Sequence, residues 1–296
     1  MIRAYFDRNV FQDLYERRNG VASRDVERLR SSIRHDGVGI AVSMTVLEET
    51  LARWAIQRRS ALAEFRFVLE VAGLSPARAR VVKEAGDLLG DEIRAYASGA
   101  PAPKPYVLND FTHLVEPSMG DYRYLDEFVA EVRAQKEALQ RFMEAQRREL
   151  AAADAAGRVI EPSRIEFLPG QRRGFDVYWA EQAEALASGL AERAGVLREV
   201  QARGIDGLLN LRPVRMAVGV NLILVYTQLA ENRAPQIGDS RDVHHAICAS
   251  VAEVFVTNDT TLAPRLRRIP ALPLEVIDLR TLFGRLNGRS HVAQSG

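Results

Sequence analysis

The stretch "DVHHAICASVAEVFVTND", residues 242–259, combines a helix and a strand that predict how the chain folds. Its first half, "HHAICAS" (244–250), is a run of small and apolar residues that predicts a closely packed helix. Its second half, "EVFVT" (253–257), is short, β-branched and aromatic, which predicts a buried strand. Three other segments have strand character, namely "IRAYF" (2–6), "GIAVSM" (39–44) and "LEVID" (274–278). Because these strands alternate with helical patterns, the sequence predicts an α/β fold with a parallel sheet.

The middle of the chain has a different character. Residues 59–235 have almost continuous helical periodicity and predict an all-helical region inserted into an α/β domain formed by 1–58 and 236–296. The last helix of the insertion is a candidate to pack on the α/β core. A long, charged helix over 122–150 carries one apolar stripe. That stripe has two interpretations: it packs on this chain, or it pairs with a second copy or an antitoxin-like protein partner.

Composition narrows the class of protein. The formal net charge is +1 and 47% of the residues are hydrophobic, so a large core forms and overall charge does not indicate a nucleic-acid or membrane-surface binder. The single cysteine, Cys248, excludes an intrachain disulfide and a cysteine-based zinc site. The N-terminus "MIRAYFDRNV" lacks the apolar run of a signal peptide. These features predict a soluble, cytoplasmic protein with no membrane segment.

Acidic residues stand where the predicted elements begin and end. Asp7 follows the first strand and Asp259 ends the "VFVTND" strand, while Asp242 opens the helix before it. Glu48 and Glu49 lie early in the helix after "IAVSM". Because ligands bind beyond the carboxyl ends of parallel strands, we expect acids from these segments to meet at one edge of the sheet.

Carboxylates gathered at one edge repel one another and raise one another's pKa values unless a cation joins them. Oxygen-only ligand sets suit Mg²⁺ or Mn²⁺. Such ions activate water and stabilise charge on a phosphate during in-line displacement. The residue types therefore point to metal-dependent phosphodiester hydrolysis.

Three motifs carry a family resemblance. "YFDRNVFQDL" (5–14) has an Asp after a strand, "VSMTVLEETL" (42–51) has a Glu early in a helix, and 242–259 has an acid at each end. In this respect the chain resembles the PIN-domain nucleases over roughly 1–58 and 236–281. The resemblance implies a three-layer α/β/α fold with a central parallel sheet. It also implies a site of four catalytic, metal-binding acids: Asp7, Glu48, Asp242 and Asp259.

Further residues follow from the same comparison. Thr257 matches the family's hydroxyl beside the last acid and Asn9 matches the Asn of the first motif. Arg8 departs from the usual Thr or Ser, which removes a hydroxyl but places a cation that can contact a phosphate. Glu49 competes with Glu48 for the role of the second acid. Glu48 is preferred because the neighbouring apolar residues, Leu47, Leu51 and Trp54, define the buried side of the helix.

Two residues of the helix that begins near 239 are additional candidates. Asp239 is a spare acid three residues before Asp242, and either caps the helix or joins the site. His245 lies one turn after Asp242, where it can bond a carboxylate or reach a substrate phosphate. "IGDSRD" (237–242) also resembles the Mg²⁺-binding stretch of haloacid-dehalogenase-type phosphatases. That family needs an acid two residues after its nucleophile, where this chain has Asn9.

The sequence thus predicts an Mg²⁺- or Mn²⁺-dependent endoribonuclease of single-stranded RNA, as a toxin or an RNA-processing enzyme. Two alternatives stay open: a nuclease that acts on DNA structures, and a PIN-like scaffold or binding module without catalysis. Arginine clusters at 53–59 and 265–268 follow acidic motifs and are candidates to flank the cleft, where they would offset repulsion of a polyanion.

Overall fold

A computed structural model describes residues 1–55, 57–115, 174–230, 236 and 238–292, and parts of 125–148. The central sheet has four parallel strands, β1 (Ile2–Phe6), β2 (Val38–Ala41), β5 (Val254–Val256) and β6 (Glu275–Ile277). Their order across the sheet is β2-β1-β5-β6. Strands β3 (Ala79–Val82) and β4 (Tyr106–Asn109) pair antiparallel with each other.

Helices surround the central sheet. In chain order they are α1 (Arg8–Glu16), α2 (Ser23–Arg34), α3 (Met44–Leu51), α4 (Arg58–Val71), α5 (Ala85–Ser98), α6 (Thr112–Val115), α7 (Phe175–Arg193), α8 (Leu197–Arg203), α9 (Ile205–Leu209), α10 (Arg212–Ala230), α11 (Asp239–Ala249), α12 (Leu262–Leu266) and α13 (Leu279–Val292). The described residues of 125–148 are also helical. The predicted α/β class with a central parallel sheet is confirmed, and helices flank the sheet in a manner consistent with three layers.

The central strands are buried as expected for a parallel sheet. Phe6 on β1 and Phe255 on β5 are fully buried, and so are Tyr5 and Ala4. Strands that are covered by helices on both faces are apolar along their whole length rather than at alternate positions. The α11 run Ala246–Ala249 is buried as well, and its small side chains let that helix lie close to its neighbours.

The predicted all-helical insertion needs one correction, because it contains strands β3 and β4. The backbone N–H of Val82 donates to the carbonyl of Val42 at 2.8 Å, and a parallel bridge joins Val82 to Ser43. The β-branched Val81 and Val82 are buried while Arg80 is exposed, which suits a strand. Four residues are too few to show this alternation against the helical patterns on either side, so the strands were not predicted.

The insertion is also not separate from the α/β core. Phe65 on α4 and Met216 on α10 belong to the same buried cluster as Phe6 and Phe255. Helix α10 packs along α11, as expected for the last helix of the insertion. Gly219 allows α10 to approach the segment after α12 closely, because a Cβ at this position would lie 2.6 Å from the side chain of Ile269.

The first residues of the long charged helix pack on the rest of this chain. Leu125 and Val129 are buried in the main core, and the indole N–H of Trp54 donates to Asp126 at 2.9 Å. Most of the other residues of the predicted stripe lie outside the described residues. No described helix is long and apolar enough to cross a membrane.

Candidate functional site

Two of the predicted acids lie at the carboxyl edge of the sheet, on neighbouring strands. Asp7 directly follows β1, and Asp259 lies three residues beyond the end of β5. Because Phe6 pairs with Val256, the two strands end side by side. Asp242 joins them from the first turn of α11. The topology therefore brings three acids that are far apart in sequence to one place.

Asp7 is a buried carboxylate with only 3% of its surface exposed. Its Oδ1 accepts from the backbone N–H of Val10 at 2.8 Å and so caps α1, while the hydroxyl of Thr257 donates to its Oδ2. Burial raises the pKa of Asp7 to about 6, and the negative charge of Asp259 adds to this, although both hydrogen bonds oppose the shift. The two hydrogen bonds thus hold the Asp7 side chain in one orientation, while burial destabilises its charged form.

Thr257 connects Asp7 to Asp259. Its hydroxyl donates to Asp7 and accepts from the backbone N–H of Asp259 at 3.0 Å. The Oδ1 of Asp259 accepts from the backbone N–H groups of Thr261 and Leu262, at 2.6 and 2.8 Å. The predicted hydroxyl beside the last acid is therefore the residue that fixes the geometry of both acids.

Asp242 experiences the charges of the other acids. Its pKa is raised to about 7, first by burial and then by the negative charges of Asp259 and Asp239, while His245 and Arg265 lower it. Arg265, from the predicted cluster at 265–268, thus acts on Asp242 as a positive charge.

Glu48 and Glu49 have different partners. Arg241 donates to the Oε2 of Glu48 at 2.8 Å in an ion pair. His245 Nε2 lies 3.0 Å from the Oε2 of Glu49, and the charges of Asp7 and Asp242 also act on that imidazole. The structure therefore links Glu49, rather than the preferred Glu48, to the other acids. The apolar neighbours of Glu48 did not indicate this, because Glu48 and Glu49 are both only partly buried.

Glu49 is the last member of a buried series of hydrogen-bonded side chains. The hydroxyl of Tyr5 lies 2.8 Å from His245 Nδ1 and 2.8 Å from the hydroxyl of Ser43. Burial lowers the pKa of His245, but Glu49 and then Asp7 more than reverse that effect, so it lies above its ordinary value. Neither Tyr5 nor Ser43 was predicted from the sequence. The available signal was a tyrosine inside an apolar strand, whose hydroxyl needs a partner.

Arg8 is committed to protein contacts. Its guanidinium donates to Gln12 at 2.7 Å and to Glu64 at 3.3 Å, and Arg53 also binds Glu64 at 3.0 Å. Glu64 is completely buried and was not among the predicted residues. Asn9, by contrast, is exposed on the first turn of α1, beside Asp7.

Asp239 has a local role that the structure makes visible. It is the first residue of α11, it is buried, and its Oδ2 accepts from the backbone N–H of Gln236 at 2.8 Å. Its charge nevertheless contributes to the raised pKa of Asp242. Asp239 therefore fixes the approach to α11 and adds negative charge to the site.

The acids are gathered but do not form a coordination shell. Among the described residues, no group of three or more His, Cys, Asp or Glu side chains is arranged to hold a metal ion. The chemistry of the donors, however, fits a hard cation, because Asp7, Asp242 and Asp259 are oxygen ligands whose negative charges oppose one another. Carboxylate oxygens that already accept one hydrogen bond keep further lone pairs.

Comparisons of the chain with protein-family models, with curated proteins and with solved structures found no match. A function for the chain therefore has to be inferred from the geometry and the chemistry of this site.

Proposed function

We propose that this chain is a PIN-like, Mg²⁺- or Mn²⁺-dependent endoribonuclease that hydrolyses phosphodiester bonds of single-stranded RNA. The observation that carries the proposal is the meeting of Asp7, Asp242 and Asp259 at the carboxyl edge of a parallel sheet, where their charges interact. Ligand sites of open α/β sheets lie at this edge. A partly buried group of like charges is unfavourable without a cation, so a functional reason for the group is expected.

The three acids would hold the ion, with Glu49 as the fourth acid in place of Glu48. When bound, the cation supplies a polarised water and stabilises charge on the phosphate. Thr257 would hold Asp7 and Asp259 in a fixed relative position through its hydrogen bonds, and His245 would orient Glu49. With pKa values of about 6 and about 7, Asp7 and Asp242 release protons as the ion binds near neutral pH.

Nearby side chains support a polyanionic substrate. Arg265 acts on Asp242 as a positive charge, and Asn9 exposes an amide beside Asp7. Both are donor groups of the kind that contact phosphate oxygens. Arg8 pairs with Glu64. The choice of RNA over DNA comes from the family resemblance, and DNA is the alternative substrate.

A cleavage assay tests the proposal. A labelled single-stranded RNA and a matched single-stranded DNA are incubated with Mn²⁺ and either the wild-type chain, Asp7→Asn or Asp242→Asn. We expect cleavage of RNA by the wild type and a loss of at least about 100-fold in both variants, since each removes a ligand charge. Asp91→Asn is the matched control, because Asp91 is a partly buried acid paired with Lys83 and Arg94 instead. Equal activity of the wild type and the three variants would refute the proposal.

One observation favours a second function, a PIN-like binding module without catalysis. In the part of the chain that the structure describes, no ready-made group of three metal ligands exists. The carboxylates of Asp7 and Asp259 also accept hydrogen bonds from nearby backbone N–H groups, which gives both residues a structural role. This alternative predicts that RNA or protein binding survives both Asp7→Asn and Asp242→Asn, with no cleavage by the wild type.

A further inference from the structure

A groove of about 420 Å³ lies between the α1–α2 loop and the start of α2, the residues that follow β5 and β6, and one face of α13. We call it the Phe283 groove. The residues that matter for its chemistry are Asn19, Asp25, Asn258, Asp278, Phe283 and Asn287. Its volume falls in the range of about 300–1,000 Å³ that is typical of small-molecule sites.

The groove adjoins the candidate site through Asn258. Asn258 lines the groove and immediately precedes Asp259, and consecutive Cα atoms are only about 3.8 Å apart. Its side-chain N–H donates to Asp13 at 2.6 Å and its Oδ1 accepts from the backbone N–H of Leu279 at 3.1 Å. The side chain of Asn258, one residue before Asp259, is therefore fixed by hydrogen bonds at both its nitrogen and its oxygen.

The charges of the lining select against a phosphate. Asp25 and Asp278 contribute two negative charges, and Arg280 contributes one positive charge. A carboxylate offers about four acceptor positions, so Asp278 can accept from the backbone N–H of Thr281 and from a ligand as well. The lining favours a ligand that presents hydrogen-bond donors and carries no negative charge where it enters the groove.

The remaining lining suits an aromatic ligand. Phe283 is partly buried and is the aromatic residue of the lining, which also includes Asn19, whose amide N–H donates to Asp13, and the exposed Asn287. Proteins that bind single-stranded RNA stack unpaired bases on aromatic side chains and read their edges with amides and carboxylates. An aromatic face with acceptor groups around it matches a nucleobase that has an exocyclic amino group.

We infer that the Phe283 groove binds one base of the nucleic acid beside the scissile phosphate, and that it prefers guanine, adenine or cytosine to uracil. The identity of the ligand as part of the substrate rests on the proposed function. The groove supplies Phe283 for stacking and Asp278 as an acceptor for the amino group. Phosphates stay outside, toward Arg265 and Asn9.

Nucleosides are the probes that test the groove, because they carry no phosphate and need no metal. Guanosine, adenosine, cytidine and uridine are titrated into the full chain and followed by NMR. We expect uridine to bind at least about fivefold more weakly than the others. Phe283→Leu keeps an apolar side chain but removes the stacking face, and we expect it to weaken binding at least about fivefold. The control, Tyr106→Leu, removes a partly buried aromatic ring on β4.

A second variant tests the carboxylate of Asp278 as an acceptor and leaves the ring of Phe283 in place. Asp278→Asn replaces one acceptor oxygen by a donor, and asparagine keeps the ability to cap the start of α13. We expect the discrimination against uridine to shrink or reverse. Equal binding of all four nucleosides, no effect of Phe283→Leu, or an unchanged preference in Asp278→Asn overturns the inference. If Phe283→Leu does not fold, Asp278→Asn decides alone.

RNA cleavage with Mn²⁺, measured on the same samples, separates the two proposals. Selective nucleoside binding without cleavage removes the proposed function and leaves a base-binding groove. Cleavage without selective nucleoside binding keeps the proposed function and removes the groove. In an active enzyme we expect Phe283→Leu to raise KM about fivefold or more with little change in kcat, since the base contact is the same before and during the reaction.

Discussion

His245 Nε2 lies 3.0 Å from the Oε2 of Glu49, and its other ring nitrogen lies 2.8 Å from the hydroxyl of Tyr5. Because a carboxylate only accepts, Nε2 carries the hydrogen of the bond to Glu49. In the neutral ring Nδ1 then accepts from Tyr5, and in the charged ring it donates to Tyr5. A hydroxyl does both, so the Ser43–Tyr5–His245–Glu49 chain stays bonded in either state.

Tyr5→Phe interrupts this chain while keeping the buried ring. We expect a loss of about 1–3 kcal/mol in the free energy of unfolding, because it leaves His245 and Ser43 with one partner fewer in a buried place. Urea denaturation measures this, with Tyr15→Phe as the control on a partly buried ring that packs against Phe67. Equal stability of the two variants would show that the hydroxyl of Tyr5 is dispensable.

The two glutamates are distinguished by paired substitutions. We expect Glu49→Gln to reduce Mn²⁺-dependent cleavage by about 10- to 100-fold, whereas Glu48→Gln, which loses only the Arg241 ion pair, changes it much less. Relative kcat/KM of the two variants on the same RNA gives the answer. A larger loss in Glu48→Gln would instead assign the role of the fourth acid to Glu48.

The stability of the metal-free chain should depend on pH through Asp242. Its pKa is about 7 in the folded chain against an ordinary value of 3.8, so between these values the folded chain holds a proton that the unfolded chain has released. The contribution of Asp242 to the free energy of unfolding therefore falls as pH rises from about 4 to about 7. In Asp242→Asn we expect a flatter profile and a gain on the order of 1 kcal/mol at pH 7. Urea titrations of both proteins at several pH values in EDTA measure the difference between them, and a stability gain in Asp242→Asn that does not grow as pH rises over this range contradicts the raised pKa.

Divalent cations should stabilise the folded chain. At an Mn²⁺ concentration 100 times the dissociation constant, binding to the folded chain alone adds about 2.7 kcal/mol. Thermal unfolding with Mn²⁺ and after EDTA measures this gain, and we expect Asp7→Asn and Asp242→Asn to lose most of it. Asp91→Asn should keep it. A gain that persists in the two site variants would place the bound ion elsewhere.

We expect Glu64 to stabilise the folded chain, since it is fully buried between Arg8 and Arg53. Glu64→Gln leaves the largely buried guanidinium of Arg8 without its charge partner, which costs about 2–4 kcal/mol. Glu70→Gln in the same helix is the control, because Glu70 is mostly exposed in its pair with Arg30 and such pairs contribute about 0–1 kcal/mol. Chemical denaturation compares the two, and similar losses would refute a structural role for the Glu64 network.

Local patterns were sufficient for β1, β5 and β6 and for the acids that follow β1 and β5, whereas β2 (Val38–Ala41) ends three residues before the end of the predicted segment 39–44. Strand β1 matches its predicted bounds, and β5 and β6 lie within theirs. These segments are buried on both faces, so their composition alone is informative. Strands β3 and β4 were missed because each has four residues, and a strand of that length is fixed by its pairing partners more than by its own pattern.

The sequence by itself determined the α/β class, the parallel sheet and the positions of Asp7, Asp242 and Asp259 at the ends of elements, since periodicity and connection rules act along the chain. Only the tertiary structure decided that Glu49 faces His245 while Glu48 pairs with Arg241, and that Arg8 is taken up by Glu64. The physical reason is that a partner depends on which side chains meet across elements. Neighbouring residues on a helix differ by about 100° in direction, so one step along the sequence selects a different partner.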